Sequence, residues 1–369
     1  MLSNLNKIQL IKILIYLSTF TLYLFVAIKS NYFSKLTFDD NYFLTHAQQP
    51  NWQWLIAPFN GHVYFLTKIL ITFEYSIFGF PHWGYFVVLQ VIHLINLILL
   101  NKLLQFLIKT PLARLAALTL FAISSLYYHL LVWINAQGTL LSLTFMALSI
   151  LWFLQYHQNS QLKYLFFSLV SLLISGLWFG SGLTFPLTLL ILALYFKEII
   201  AVKTYGVFTV IYALMYRLLL EISRTPVSLV FGESLHPLRY FHTVIQGIAY
   251  GFTARFFFPV CIFCSQTNPL FLKFIAGGSL LLFVLLVLYS QRKAWLNGFL
   301  IYYLTAALIR GNITHDRHTY IPLFFFSIFS ALFMDQLIKL RPKLAQTAIP
   351  LFVGYYFLIH TYQLFTVNF

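Results

Sequence analysis

Residues 85–107 read YFVVLQVIHLINLILLNKLLQFL, a run of 23 residues in which Lys102 is the one charge. An α-helix rises about 1.5 Å per residue, so this run is about as long as a bilayer's hydrocarbon core is thick, roughly 30 Å. Apolar residues occupy all its faces, leaving no polar side for water. Similar runs recur along the whole chain. Of 369 residues, 60% are hydrophobic and 8% charged, against roughly 25% charged in a soluble domain. A soluble fold of this size has no single core able to hide so many such helices. The chain reads as an integral multi-pass membrane protein in contact with a lipid bilayer.

Working outward, further candidate spans are Ile8–Ile28, Leu112–Val132, Thr139–Tyr156, Leu162–Trp178 and Leu183–Phe196, the last two separated by the GLWFGSG stretch. Tyr205–Leu220, Phe271–Tyr289, Trp295–Ile309, Thr319–Ile338 and Thr347–Phe365 follow. The expected fold is all-α, a polytopic transmembrane helix bundle of about eleven spans. With no solenoid period and no Gly/Pro-rich linker, 1–369 reads as one domain. Lys7 and Lys12 precede the first apolar run and no small-residue cleavage site follows it, so a retained span is expected rather than a signal peptide.

The net charge of +15 does not point to nucleic acid, because the 23 Lys and Arg are scattered singly between apolar runs. Such a distribution sets topology and favours anionic lipids or phosphate-bearing ligands. Lys102, Lys109 and Arg114 mark one inside connection, and Lys163, Lys197 with Lys203, Arg292 with Lys293, and Lys339 with Arg341 and Lys343 mark others. These agree with one topology if His236–Cys264 does not cross. In that segment Arg239, His242, Gln246, Tyr250 and Thr253 share one helical face, as an interfacial helix requires. Cys261 and Cys264 lack the further ligands of a zinc site and read as buried thiols. In this topology Lys29–His82 is a long outside loop, with Gly311–His318 on the same side.

Eight acidic residues make each one informative. Asp39 and Asp40 stand side by side in LTFDDNYF, just beyond the first span. One could serve as a general base on a hydroxyl, and the pair could share a divalent cation, Mg or Mn. Asp also caps helices, so a solvated loop or an N-cap is the bland alternative. In IAPFNGHVYFLTKIL, the residues Pro58, Asn60, Gly61 and His62 form a turn into an amphipathic segment holding Lys68 and Glu74. His62 could contact a substrate hydroxyl or phosphate, ligate a metal with His46 or His82, or make ordinary interfacial hydrogen bonds. No metal set is fixed by the spacing.

The third concentration is IRGNITHDRHTYIPLFFF, with Arg310, His315, Asp316, Arg317, His318 and Tyr320 at the mouth of a late helix. Guanidinium groups pair with phosphate oxygens in a bidentate way, which suits a lipid phosphate or pyrophosphate. Snorkelling arginines, with Asp316 neutralising Arg317, are the structural alternative. Arg255 could join this site. Gln90, His93 and Asn96, three residues apart on a span, are expected to hydrogen-bond between helices, and Arg217 with Glu221 to pair along one helix.

Together these stretches resemble the membrane glycosyltransferases of the GT-C fold, in the protein O-mannosyltransferase and aminoarabinose-transferase branch. FDDNYF resembles that family's carboxylate pair after the first helix, and APFNGHVYFLTK its Pro- and His-containing turn. Arg317–Pro322 fits its Arg–x–x–Tyr–x–Pro opening, and VWINAQGTLLSLTF its turn into the fourth helix. The resemblance implies an inverting transfer from a polyprenyl-phosphate sugar to a hydroxyl of a lipid, glycan or protein, at the outer face of a bacterial cytoplasmic membrane. It implies Asp39 as base, Asp40 orienting it or binding a cation, and Arg317 with Arg310 or Arg255 on the departing phosphate. His62, His318 and Tyr320 would be further substrate contacts. Two other readings stay open: a transporter or flippase for a lipid-linked saccharide, and a non-enzymatic subunit of an envelope assembly.

Overall fold

The computed structural model describes residues 7–29, 38–59, 62, 64–81, 83–179, 184–222 and 320–366. These residues are almost wholly helical, and among them the only β feature is an isolated bridge between Phe59 and His62. After α1 (Lys7–Lys29) come three shorter helices, α2 (Phe38–Gln48), α3 (Trp52–Ile56) and α4 (Phe65–Phe78). Next are α5 (Trp83–Leu107) and α6 (Pro111–Ala122), then two 3-10 segments, Ser125–Val132 and Ile134–Ala136. The rest is α7 (Gln137–Asn159), α8 (Leu162–Trp178), α9 (Thr184–Tyr195), α10 (Ile199–Ile222), α11 (Tyr320–Leu340) and α12 (Pro342–Thr366).

Among the described residues, four stretches are long and apolar enough to cross a membrane: Ile8–Lys29, Trp83–Leu107, Ile134–Asn159 and Leu323–Leu340. Shorter apolar helices cover Leu162–Trp178, Phe185–Tyr195 and Ile199–Met215. Each lies where the sequence places a span. The expected spans 271–289 and 295–309 and the expected interfacial helix 236–264 lie outside the described residues.

One expected span departs from a straight helix. The stretch expected to cross as Leu112–Val132 is broken, with α6 and the 3-10 segment Ser125–Val132 meeting at 44°. Polar side chains cause the break by taking over backbone groups. Ser124 Oγ accepts the Leu126 N–H at 3.3 Å, and His360 Nδ1 accepts the Ser125 N–H at 3.0 Å. Tyr23 donates to the Ser124 carbonyl at 2.8 Å, and Tyr127 donates to the Phe121 carbonyl at the end of α6. Backbone groups satisfied this way no longer need the helical ladder.

The bundle packs through small and hydroxyl-bearing residues. Along the α7–α8 seam, Ser142 meets Ser175 at 3.1 Å and Ser149 meets Ser168 at 2.9 Å. Ser168 also meets Tyr205 of α10 at 2.6 Å. In lipid the apolar drive between helices is weak, so close backbone approach and such bonds carry the association.

Helices α5 and α7 both start at one end of the bundle, where Tyr85 and Ile134 share a buried cluster. At the opposite end Thr110 bonds Asp335, His157 bonds Glu198 at 2.7 Å, and Lys12 lies within electrostatic reach of Arg114. The connection residues Lys109, Arg114, Lys163, Lys197, Lys203, Lys339, Arg341 and Lys343 all belong to that second end. Tyr320, at the start of α11, lies deeper, bonded to His93 and Asn96 part-way along α5.

At the first end, Gly138 fixes how closely α4, α7 and α8 approach. A Cβ there would stand 2.5 Å from Thr67 Oγ1 and 2.8 Å from the Trp178 carbonyl oxygen, which Thr67 bonds at 2.7 Å. Gly206 of α10 has nothing within 4 Å of the same position. Gly138→Ala should therefore lower the melting temperature in detergent by several degrees, through overpacking of about 1–3 kcal/mol. Gly206→Ala should leave it level or raise it, since Ala favours helix by roughly 1 kcal/mol. Equal behaviour of the two variants in a thermal unfolding scan would contradict this packing.

Candidate active site

Helices α2, α3 and α4 form a layer over the first end of the bundle. A small aromatic core holds it there: Phe43, Leu44, Ala47, Trp54, Tyr64 and Ile71 pack with Tyr85, Ile134 and Phe179. Phe43 meets Phe59 edge-on at 5.0 Å, and Tyr42 stacks on Phe59 at 4.7 Å. Asn51 starts α3 by accepting the Trp54 N–H at 2.8 Å.

Asp39 and Asp40 stand in the first turn of α2, where the helix dipole favours negative charge. The two differ in placement. Asp39 is half-buried, whereas Asp40 is fully buried and its Oδ1 accepts the backbone N–H of Asn135 at 3.1 Å. That bond fastens α2 to the 3-10 turn from which α7 starts. The solvated-loop alternative thus does not describe Asp40. His62 closes a tight turn, exchanging two backbone bonds of 2.9 Å with Phe59. Its buried ring stacks on Phe179 at 4.8 Å.

The acidic couple and His62 therefore share this layer. His46 is otherwise engaged, with Nδ1 on the Tyr42 carbonyl at 2.8 Å and its ring stacked on Trp54 at 5.7 Å. Among the described residues no three His, Cys, Asp or Glu side chains gather as a metal set, so a cation at Asp39 and Asp40 would gain no third such ligand from them. His82, Arg255, Arg310, Arg317 and His318 lie outside the described residues.

Tyr320 sits deeper, at the start of α11. It is fully buried, with its hydroxyl 2.8 Å from His93 Nδ1 and accepting from Asn96 Nδ2 at 3.2 Å. Asn96 also donates to the Leu140 carbonyl at 3.0 Å and accepts from Thr144 at 2.8 Å, while Gln90 donates to the Leu131 carbonyl at 3.3 Å. The spaced polar residues of α5 thus bond between elements, as their spacing implies. Arg217 and Glu221 pair at 2.9 Å on an exposed face, where such a pair adds little stability.

Three residues join the site without having been singled out as site residues by the sequence: Thr67, Asn135 and Gln137. Glu74 and Lys68 gain definite roles. Gln137 donates to Glu74 Oε2 at 2.8 Å, tying α4 to α7. Lys68 is buried and donates to the Trp54 and Ala57 carbonyls, closing α3 against α4. Burial lowers the Lys68 ammonium to about 8. The signal for these residues was present in NAQG opening a span, and in an acid and a lysine set within an apolar helix.

No protein-family model matches this chain, and neither does any curated protein or solved structure.

Burial raises the Glu74 carboxyl to about 7 from 4.5, against the opposing hydrogen bond from Gln137. Tyr85 is the neighbouring phenol that feels its charge. The folded protein holds this proton more tightly than the unfolded chain. Its contribution is complete below the unfolded value and is lost as pH climbs through the folded one, a difference of roughly 3 kcal/mol at most. Glu74→Gln should flatten the fall in melting temperature between about pH 5 and 8, and melt above the parent at the alkaline end. Parallel pH profiles for the two proteins would refute the assignment.

Proposed function

We propose that the chain is a membrane glycosyltransferase of GT-C type, with about eleven spans and its site at the extracytoplasmic face. It transfers a sugar from a polyprenyl-phosphate donor to an acceptor hydroxyl with inversion. The observation that carries this reading is the acidic couple opening α2, with Asp40 buried and fixed by the Asn135 N–H at the mouth of α7. A carboxylate held rigidly in a layer bordering lipid suits base catalysis on a substrate whose tail stays in the bilayer. The gathering of basic connections at the other end supports the orientation, since cytoplasmic loops carry the excess of Lys and Arg.

In this reading Asp39 takes the proton of the acceptor hydroxyl, and Asp40 holds the turn that aims it. The acceptor oxygen bonds to the anomeric carbon from the face opposite the phosphate. The bond from that carbon to the phosphate oxygen breaks, and polyprenyl phosphate departs with the electron pair. Arg317, with Arg310 or Arg255, stabilises the charge growing on the phosphate. His62 and His318 are secondary contacts, and Tyr320 anchors the helix that follows the arginines. A divalent cation on the two carboxylates, if bound, would neutralise like charge between them and the phosphate.

Asp39→Asn tests the reading in proteoliposomes carrying lipid-linked sugar donors and acceptor extracts. Turnover should fall by about 10²–10⁴ while donor binding persists. A flippase or a scaffold would keep its activity. Wild-type turnover in this variant, or an unchanged envelope glycan profile by mass spectrometry when the protein is removed from cells, would sink the proposal.

A further inference from the structure

We propose that the groove between α6 and α12, at the basic end of the bundle, holds an acyl chain of an anionic phospholipid whose headgroup meets the lysines at its mouth. The proposal is independent of the transferase reading and concerns the end opposite the acidic couple.

The groove runs between residues 112–119 of α6 and 349–358 of α12, with a cavity volume of about 560 Å³. Both helices start at the basic end. The lining stretch of α12 rises roughly 14 Å, so the groove is elongated along the bundle axis. Its wall is apolar: the one hydroxyl in it, on Thr119, donates to the Leu115 carbonyl at 2.9 Å within α6. On the α12 side Pro350 and Gly354 keep the wall low, and both are exposed. A Cβ on Gly354 would meet nothing within 4 Å. An apolar slot of this length, open on its flank to the bilayer, fits a fatty acyl chain and offers a polar ligand no hydrogen bond.

Charge decides the headgroup. In the register of α12, Lys343 shares a face with Pro350, Gly354 and Phe357, at successive steps of seven, four and three. Lys109 stands three residues before Leu112, just ahead of α6, and Arg341 just ahead of α12. All three are exposed, and none forms an ion pair among the described residues. Asp335, the acid bonded to Thr110 at the same corner, is already matched by Lys339 at 2.6 Å. Arg114 belongs to the other face of α6, within electrostatic reach of Lys12, and takes no part. Unmatched cations at the mouth of an apolar slot attract a headgroup whose phosphate keeps its negative charge. A zwitterionic lipid fills the slot without that gain. A second copy of this chain is disfavoured, because two copies in one bilayer share one orientation and their basic mouths would meet at the same level and repel.

The test uses the full chain, delipidated in an amine-oxide detergent. It is titrated with dioleoyl phosphatidylglycerol, dioleoyl phosphatidylcholine and soluble glycerol 3-phosphate, and native mass spectrometry reads the bound fraction. At about fivefold for each lysine facing the headgroup, phosphatidylglycerol should bind roughly 25-fold more tightly than phosphatidylcholine. Lys109→Gln combined with Lys343→Gln should remove most of that preference and leave phosphatidylcholine binding level. Gly354→Phe, which fills the slot without touching a charge, should lose the bound phosphatidylglycerol. Lys163→Gln, on α8 away from the groove, should behave as the parent, and glycerol 3-phosphate should not compete. Equal affinity for the two lipids describes an ordinary lipid annulus and overturns the proposal. Competition by glycerol 3-phosphate does the same by showing a free-anion site, as does a preference that survives Gly354→Phe. A dimer that Gly354→Phe abolishes gives the groove to a second copy and also overturns it. Should Gly354→Phe fail to fold, the smaller Gly354→Leu is read in the same way.

Discussion

The hydrogen bond from the Asn135 N–H to the buried carboxylate of Asp40 holds the site together. A backbone donor and a charged acceptor removed from water form a stronger bond than two neutral groups, and a costly one to break. On one side it fixes the first turn of α2. On the other it fixes the 3-10 turn Ile134–Ala136, and with it the direction in which α7 enters the bundle. Gln137 on Glu74 repeats the connection to α7 from α4, and Thr67 on the Trp178 carbonyl ties α4 to the end of α8. These polar ties act with the aromatic core of Phe43, Trp54, Tyr64 and Phe179 in holding the layer on the bundle.

Below that layer the polar groups continue. Asn96, Thr144, His93 and Tyr320 bond to one another about two turns further along α7 and about two to three turns further along α5. Because each of these groups is paired, they join α5, α7 and α11 without a hydration cost at this depth. The pairing distinguishes this tier from the one above. In the upper tier Glu74 Oε1, Asn135 Oδ1 and Gln137 Oε1 keep no hydrogen-bond partner among the described residues, whereas the lower tier closes its own.

Much of this was legible in the sequence, for identifiable reasons. Span positions follow from apolar runs, and Leu162–Trp178 coincides with its helix to the residue. The one-sided gathering of basic connections followed from Lys and Arg spacing, because those residues seek the same aqueous phase. The bent Leu112–Val132 stretch was not legible. Its break depends on Tyr23, Tyr127 and His360, which reach it from distant parts of the chain. Asp40 could be singled out by its scarcity, but its difference from Asp39 depends on a backbone N–H at position 135. Gln137 was hidden for a related reason: an amide at a helix start is common, and only the meeting with Glu74 gives it a task.

The break between α6 and its 3-10 continuation bears on how deep water can reach. The twelve residues of α6 rise about 18 Å, well short of a hydrocarbon core of roughly 30 Å. The remaining depth is lined by Ser124, Ser125, His360 and Gln363, all hydrogen-bonded through that stretch. Ser124, Ser125 and His360 are nevertheless buried and bonded to protein partners, so the break closes its polar groups inside the bundle and offers water no path along this flank.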